Sequence, residues 1–181
     1  METKTIRNKK TILLRKAVPE DAKMIVDYLK KVCVETDNLS FGLQDMPITV
    51  ESEIEYLTAI QTSTTSVHFV VFCDDEVIAT SIISGKSRPR MAHVASLGIS
   101  VLRDYWHLGI GSLLMKAMID WAKAGDVIRK INLSVRSDNQ VAVALYRKFG
   151  FRYVGTLHDE MRVDGQSVDL DEMELLFDDH D

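Results

Sequence analysis

Asn139 and Tyr146 lie seven residues apart in the stretch INLSVRSDNQVAVALYRKFGF, Ile131 to Phe151. In a helix that spacing is about two turns, so both side chains stand on one face. A neutral phenol with a pKa of about 10 can donate a proton to a thiolate leaving group whose pKa is near 8.5. A carboxamide can bond a peptide-like chain. The same two residues also suit a plainer pairing, a capping asparagine and a half-buried core tyrosine.

A second stretch, LGISVLRDYWHLGIGSLL from Leu97 to Leu114, offers a place for an anion. A strand ends near Val101, a short loop follows, and Gly109-Ile110-Gly111 opens a long amphipathic helix. The first N–H groups of a helix have no partner inside it, and the macrodipole places roughly half a positive charge there. Glycines remove the Cβ atoms that would keep a phosphate at a distance, and Ser112 adds a hydroxyl. No Gly-Lys-Ser/Thr follows, so this is no P-loop, and the third glycine of a dinucleotide fingerprint is missing. A tight strand-to-helix turn with glycines for packing would read the same way.

Together the two stretches resemble the GNAT superfamily of N-acetyltransferases. The first matches that family's acetyl-CoA motif, a strand followed by R/Q-x-x-G-x-G/A and a helix. The second matches its N-x-x-A-x-x-L-Y-x-K-x-G-F segment at Asn139, Ala142, Leu145, Tyr146, Lys148, Gly150 and Phe151. The segment RKAVPEDA, Arg15 to Ala22, and the late Asp164, Gly165, Asp171 and Met173 also look like family members. One position departs: Trp106 stands where the motif has Arg or Gln, which leaves backbone contacts rather than a side-chain contact there.

The resemblance implies acetyl-CoA as cosubstrate and no metal. It places the pantetheine arm along Ile99, Ser100 and Val101, and the pyrophosphate on His107, Leu108, Gly109, Ile110, Gly111 and Ser112. Asn139 would bond the pantetheine or the adjoining pyrophosphate region, and Tyr146 would protonate the departing thiolate as general acid. The reaction implied is direct attack of a primary amine on the thioester. An alkyl ammonium with a pKa of roughly 10.4 must first lose a proton. Glu35, at the end of the first helix, and His93, on the strand leading to Val101, are the candidate bases; Asp37 and Asp104 are weaker ones. The acceptor would be a small molecule, a peptide or a protein, and a homodimer is plausible because family members often pair. The alternative from another class is a non-catalytic acyl-CoA binding or sensing module.

These residues need a scaffold, and the hydropathy pattern supplies one. Thr11–Ala17 reads as a strand, and Pro19-Glu20-Asp21 opens a helix carrying Ile25, Val26, Leu29 and Val32 on one face. A loop with Asn38, Ser40, Gly42 and Pro47 leads to Thr49, the expected N-cap of a second helix through Ile60. Val67–Cys73 and Val77–Ile83 form a hairpin across Asp74-Asp75, and Met91–Val101 is a third strand of this group. Ile110, Leu113, Leu114, Ala117, Met118 and Trp121 make one helical stripe that ends at Gly125. A strand over 131–135 follows, then a helix capped by Ser137 or Asp138 and broken at Phe149-Gly150-Phe151. Strands near Arg152–Met161 and Ser167–Phe177 flank the turn Asp164-Gly165. The order β-α-α-β-β-β-α-β-α-β-β defines an α/β (α+β) fold around one mixed sheet flanked by helices, in a single domain over 1–181. The resemblance makes that sheet mostly antiparallel.

Composition agrees. The chain has 181 residues, 46% hydrophobic and 27% charged, with a net charge of −5. That suits a globular chain and argues against a nucleic-acid binder with a broad basic face. No run reaches the roughly 18 apolar residues of a membrane span, and Ile12–Leu14 is too short for a secretory core. Cys33 and Cys73 show no metal or disulfide spacing, as expected of reduced thiols in the cytoplasm. From Asp159 onward ten acids stand against Arg162 alone, a local charge of −9 that leaves +4 on residues 1–158. That run could attract a cationic acceptor, or simply be a solubilising strand face and tail.

Overall fold

The computed structural model of the chain describes residues 2–7, 10–45 and 48–177. Pro47 of the expected loop and Asp178, Asp179 and Asp181 of the acidic run lie outside them. Eight strands form one sheet in the order β1-β2-β3-β4-β5-β6-β8-β7. They are β1 (Glu2–Thr5), β2 (Thr11–Lys16), β3 (Val67–Cys73), β4 (Glu76–Gly85), β5 (Val94–Val101), β6 (Lys130–Arg136), β7 (Arg152–Val163) and β8 (Gln166–Leu176). The helices are α1 (Ala22–Glu35), α2 (Val50–Ile60), α3 (Ile110–Ala124) and α4 (Gln140–Lys148). Every pairing is antiparallel except β5 with β6.

Burial explains the pattern. The strand β3, apolar except for His68, is buried at every position, as a central strand covered on both faces must be. On one face α1 packs with Tyr28, whose hydroxyl donates to Ser100 Oγ at 2.9 Å. On the other lies α3, with Lys16 Nζ 5.8 Å from the Trp121 ring centroid. The α3 stripe read from the sequence buries Ile110, Leu113, Leu114 and Met118. Asp164 and Gly165, at φ of 49° and 78°, close the β7–β8 hairpin in the left-handed geometry that an Asp-Gly turn favours.

Two elements differ from expectation. The strand β1 is fully exposed, so no buried face writes an alternation into Glu-Thr-Lys-Thr; it exists by pairing with the free edge of β2. The strand β5 begins at Val94 rather than Met91, because Pro89–Met91 forms a 3-10 turn. Pro89 has no N–H to give a ladder.

The strands β5 and β6 run parallel only where Val94, Ala95 and Ser96 pair with Lys130, Ile131 and Asn132. Beyond that, β5 continues to Val101 and β6 to Arg136, and they splay apart. Ligand crevices in open sheets lie beyond the carboxyl ends of neighbouring parallel strands.

Candidate active site

The splay leaves one edge of β5 without a strand partner. Lys86 N donates to Val94 O at 3.1 Å and Leu102 N to Ile78 O at 3.0 Å, which sets the phase of the β4–β5 ladder. Antiparallel residues alternate in direction, so Ser96, Gly98 and Ser100 bond β4. Leu97, Ile99 and Val101 therefore direct their N–H and C=O groups into the splay. Of the three strand positions expected from the sequence, Ile99 and Val101 face it, whereas the backbone of Ser100 is turned to β4. Leu97 joins them without any motif of its own; only the ladder phase reveals it. Trp106 contributes separately, since its indole Nε1 donates to Val101 O at 2.7 Å and ties the loop to the strand end.

That loop leads into α3 through two left-handed residues, His107 at φ 60° and Gly109 at φ 89°. Gly109 is the N-cap and offers no side chain, so no side-chain hydrogen bond caps α3. The first turn-closing bond, Leu113 N to Gly109 O at 3.1 Å, leaves the N–H groups of Ile110, Gly111 and Ser112 ahead of the helical ladder. The exposed Arg7, from the segment after β1, reaches His107 O at 3.4 Å and adds a cation beside the loop. No sequence signal marked Arg7, because its contact spans one hundred residues.

The second motif meets the first at close range. A Cβ on Gly111 would stand 3.1 Å from Leu145 Cδ2, so the glycine lets α4 lie against the first turn of α3. The cap of α4 is Asn139, whose Oδ1 accepts from Ala142 N at 3.1 Å, rather than Ser137 or Asp138. Both expected caps are engaged elsewhere: Ser137 Oγ donates to Asp171 at 2.7 Å, and Asp138 is held by Arg136 at 2.9 and 2.7 Å. That guanidinium also holds the Asp138 carboxyl below the usual range. Among the described residues nothing accepts from Asn139 Nδ2. Tyr146 is buried and packs on Phe151 at 5.9 Å between ring centroids, tilted 55°. Burial pushes its phenol up to about 12.

A cavity of about 520 Å³ opens where β5 and β6 end. Its walls are Val34 to Asn38 at and beyond the end of α1, Arg103 and Trp106 after β5, Arg136 at the end of β6, and Asp138 to Val141 entering α4. Glu35 and Asp37 line it; Asp104 does not. The Glu35 carboxylate accepts from the Arg103 backbone N–H at 2.7 Å, and the Glu35 carbonyl accepts from the Arg103 guanidinium. Arg136 Nη1 donates to Asp37 O at 3.0 Å. An arginine at or just past the end of each splayed strand thus holds the loop across the mouth. His93 lies elsewhere. It is exposed in the turn before β5, at the opposite end of that strand from Val101, and its carbonyl accepts from Arg129 and Lys130 at 2.8 and 3.1 Å.

The fold has known counterparts. The sequence model of the acetyltransferase (GNAT) family matches residues 34–151, and the chain belongs to that family. A crystal structure of a GNAT-family acetyltransferase from Streptococcus pneumoniae superposes with a TM-score of 0.89 at 31% identity, covering 92% of this chain and 99% of that one. YncA from Salmonella typhimurium, solved with its cofactor acetyl-CoA, has the same fold with a TM-score of 0.81 at 18% identity, over 93% and 95% of the two chains. The L-amino acid N-acetyltransferase AaaT of Escherichia coli K12 is 34% identical over 100 residues, 55% of this chain. That match spans 62% of the length of AaaT.

Proposed function

We propose that the chain transfers an acetyl group from acetyl-CoA to a primary amine by direct attack on the thioester. The observation that carries this reading is the parting of β5 and β6 after Ser96 and Asn132, beside an uncapped helix start. A pantetheine arm is a chain of amides. It can replace the missing strand by bonding Leu97, Ile99 and Val101. The N–H groups from Gly109 to Ser112, with the α3 dipole behind them, suit a pyrophosphate. The family and the acetyl-CoA bound to YncA agree with this. Backbone N–H groups of the splay would polarise the thioester carbonyl.

Tyr146 donates to the sulfur as the C–S bond breaks. A phenol near 12 facing a thiol near 8.5 holds its proton about 10³-fold more tightly. It therefore stabilises the thiolate first as a hydrogen-bond donor, and proton transfer completes only as the amine sheds its own proton. The cavity at the mouth, mixed in charge and open to solvent, suits a small amine or a chain terminus. The buried free thiols of Cys33 and Cys73 fit a reducing cytoplasm.

Thermal melting with acetyl-CoA, followed by detection of free thiol with an amine panel, tests the reading. Acetyl-CoA at about 100 times its Kd should add about 2.7 kcal/mol, or roughly 5 °C or more in Tm. Thiol release should then depend on the amine. Stabilisation without release from any amine would favour the non-catalytic binding module.

A further inference from the structure

Four of the described C-terminal acids hold side-chain partners, and Glu160 and Asp164 stand exposed. Asp159 pairs with Arg162 at 2.7 Å and Asp169 with His158 at 2.8 Å. Asp171 accepts from Ser137 and Thr156, both at 2.7 Å, and Glu174 pairs with Lys130 at 2.5 Å. Glu172 is different. It is half-buried, its carboxylate accepts only the hydroxyl of Ser134 on the neighbouring strand, and no cation among the described residues lies within ion-pair reach.

Its surroundings are bare. The pairing Ser134↔Glu172↔Gly155 forms one row across β6, β8 and β7. On the far side of the splay the same row continues into Gly98, because Ser96 pairs with Asn132 and the next inward positions are Gly98 and Ser134. A Cβ at Gly98 or at Gly155 would meet no atom within 4 Å, and neither residue has a positive φ. Gly155 sits beside a bulge, which gives it a local reason; Gly98, in a regular ladder, has none. A glycine in a strand that neither backbone nor packing demands marks close approach of something else. By alternation from Ser100, this row lies on the face that carries Tyr28 and α1. Tyr146, on α4 beside α3, belongs to the opposite face.

We infer that the acceptor amine crosses Gly98 and that Glu172, oriented by Ser134, receives its ammonium and takes its proton. This rests on the acetyl-transfer reading above. The balance is complete. The ammonium gives one proton to the Glu172 carboxylate, and the neutral nitrogen attacks the thioester carbon. The C–N bond forms and the C–S bond breaks. The second nitrogen proton ends on the CoA sulfur, and the Glu172 proton passes to solvent. The ligand class is a primary ammonium on a slender chain, since the row offers a bare floor and one carboxylate.

The test measures kcat and KM for L-methionine, spermidine and a peptide with a free N-terminal alanine, with the Kd of CoA measured in parallel. With whichever amine is accepted, Glu172→Gln should lower kcat/KM about 10²-fold or more and leave the Kd for CoA within twofold. Its residual rate should climb with pH as free amine accumulates. Glu172→Asp should recover part of the loss, and Ser134→Ala, which leaves the carboxylate present but unheld, should fall between. A Glu172→Gln enzyme within twofold of wild type, with an unchanged pH profile, overturns the assignment while wild-type turnover keeps the reaction itself intact. A wild-type protein that binds CoA and acetylates none of the three amines overturns the transfer reading, and this inference with it.

Discussion

The Glu35 carboxylate accepts the backbone N–H of Arg103 at 2.7 Å, joining the end of α1 to the turn that leaves β5. An acceptor engaged in this way braces the mouth of the cavity. Glu35→Gln keeps a carbonyl oxygen that can accept the same N–H, so its stability and kcat/KM should stay within about threefold of wild type. Glu35→Ala loses the brace and should cost about 1 kcal/mol in urea unfolding, with weaker acetyl-CoA binding. A Glu35→Gln variant that lost the acid limb of its pH profile would instead make Glu35 the base.

Gly109 holds φ at 89°, a conformation that costs a side-chain-bearing residue about 1–2 kcal/mol. Gly109→Ala should therefore lower stability by that amount and turn the helix-start N–H groups from their anion. The Kd for acetyl-CoA, by calorimetry, should rise tenfold or more. Gly111→Ala meets only the flexible end of Leu145 at 3.1 Å and should cost less on both counts.

Tyr146 is buried, and burial raises its pKa to about 12. The phenol thus stays protonated throughout the working range. Tyr146→Phe should reduce kcat about 10²-fold with little change in the Kd for acetyl-CoA. The wild-type pH profile should show no downward limb from this group below about pH 11.

His68 and Glu53 are buried together, with Nδ1 and Oε1 3.7 Å apart, beyond hydrogen-bond reach. Burial lowers the His68 pKa to about 4. The folded state holds the neutral ring, so stability is full above about 6.5 and falls as pH drops toward 4. Between pH 7 and 5 the loss should be about 2 kcal/mol by urea unfolding. Burial raises the pKa of Glu53, which has the opposite slope as pH rises through the carboxylate range. Glu53→Gln should steepen the acid loss, and His68→Leu should remove it.

The fold was legible wherever one face is buried. The stripe of α3, the run of β3 and the Asp164-Gly165 turn each carry a local signature that packing preserves. Thr49, too, caps α2 as read, accepting from Ser52 N at 3.2 Å. Legibility ended where partners are distant in sequence. The competition that removed Ser137 and Asp138 as caps depends on Asp171 and Arg136, and nothing local encodes it. In the same way the glycine loop and Asn139 and Tyr146 were visible as motifs, whereas Arg103, Arg136 and Leu97 enter only through the splay. His93 looked well placed because a strand ends near the site, but it stands at the strand's other end.

The three registered pairs between β5 and β6 have a mechanical consequence. Five strands on one side and three on the other form two antiparallel blocks, joined along a short seam. The exposed edge of β5 along that seam, Leu97, Ile99 and Val101, is where the two blocks lack mortar. On the proposed reading, a bound pantetheine arm would extend the short seam between the blocks, so acetyl-CoA should slow amide hydrogen exchange along β5 and β6 on both sides of it.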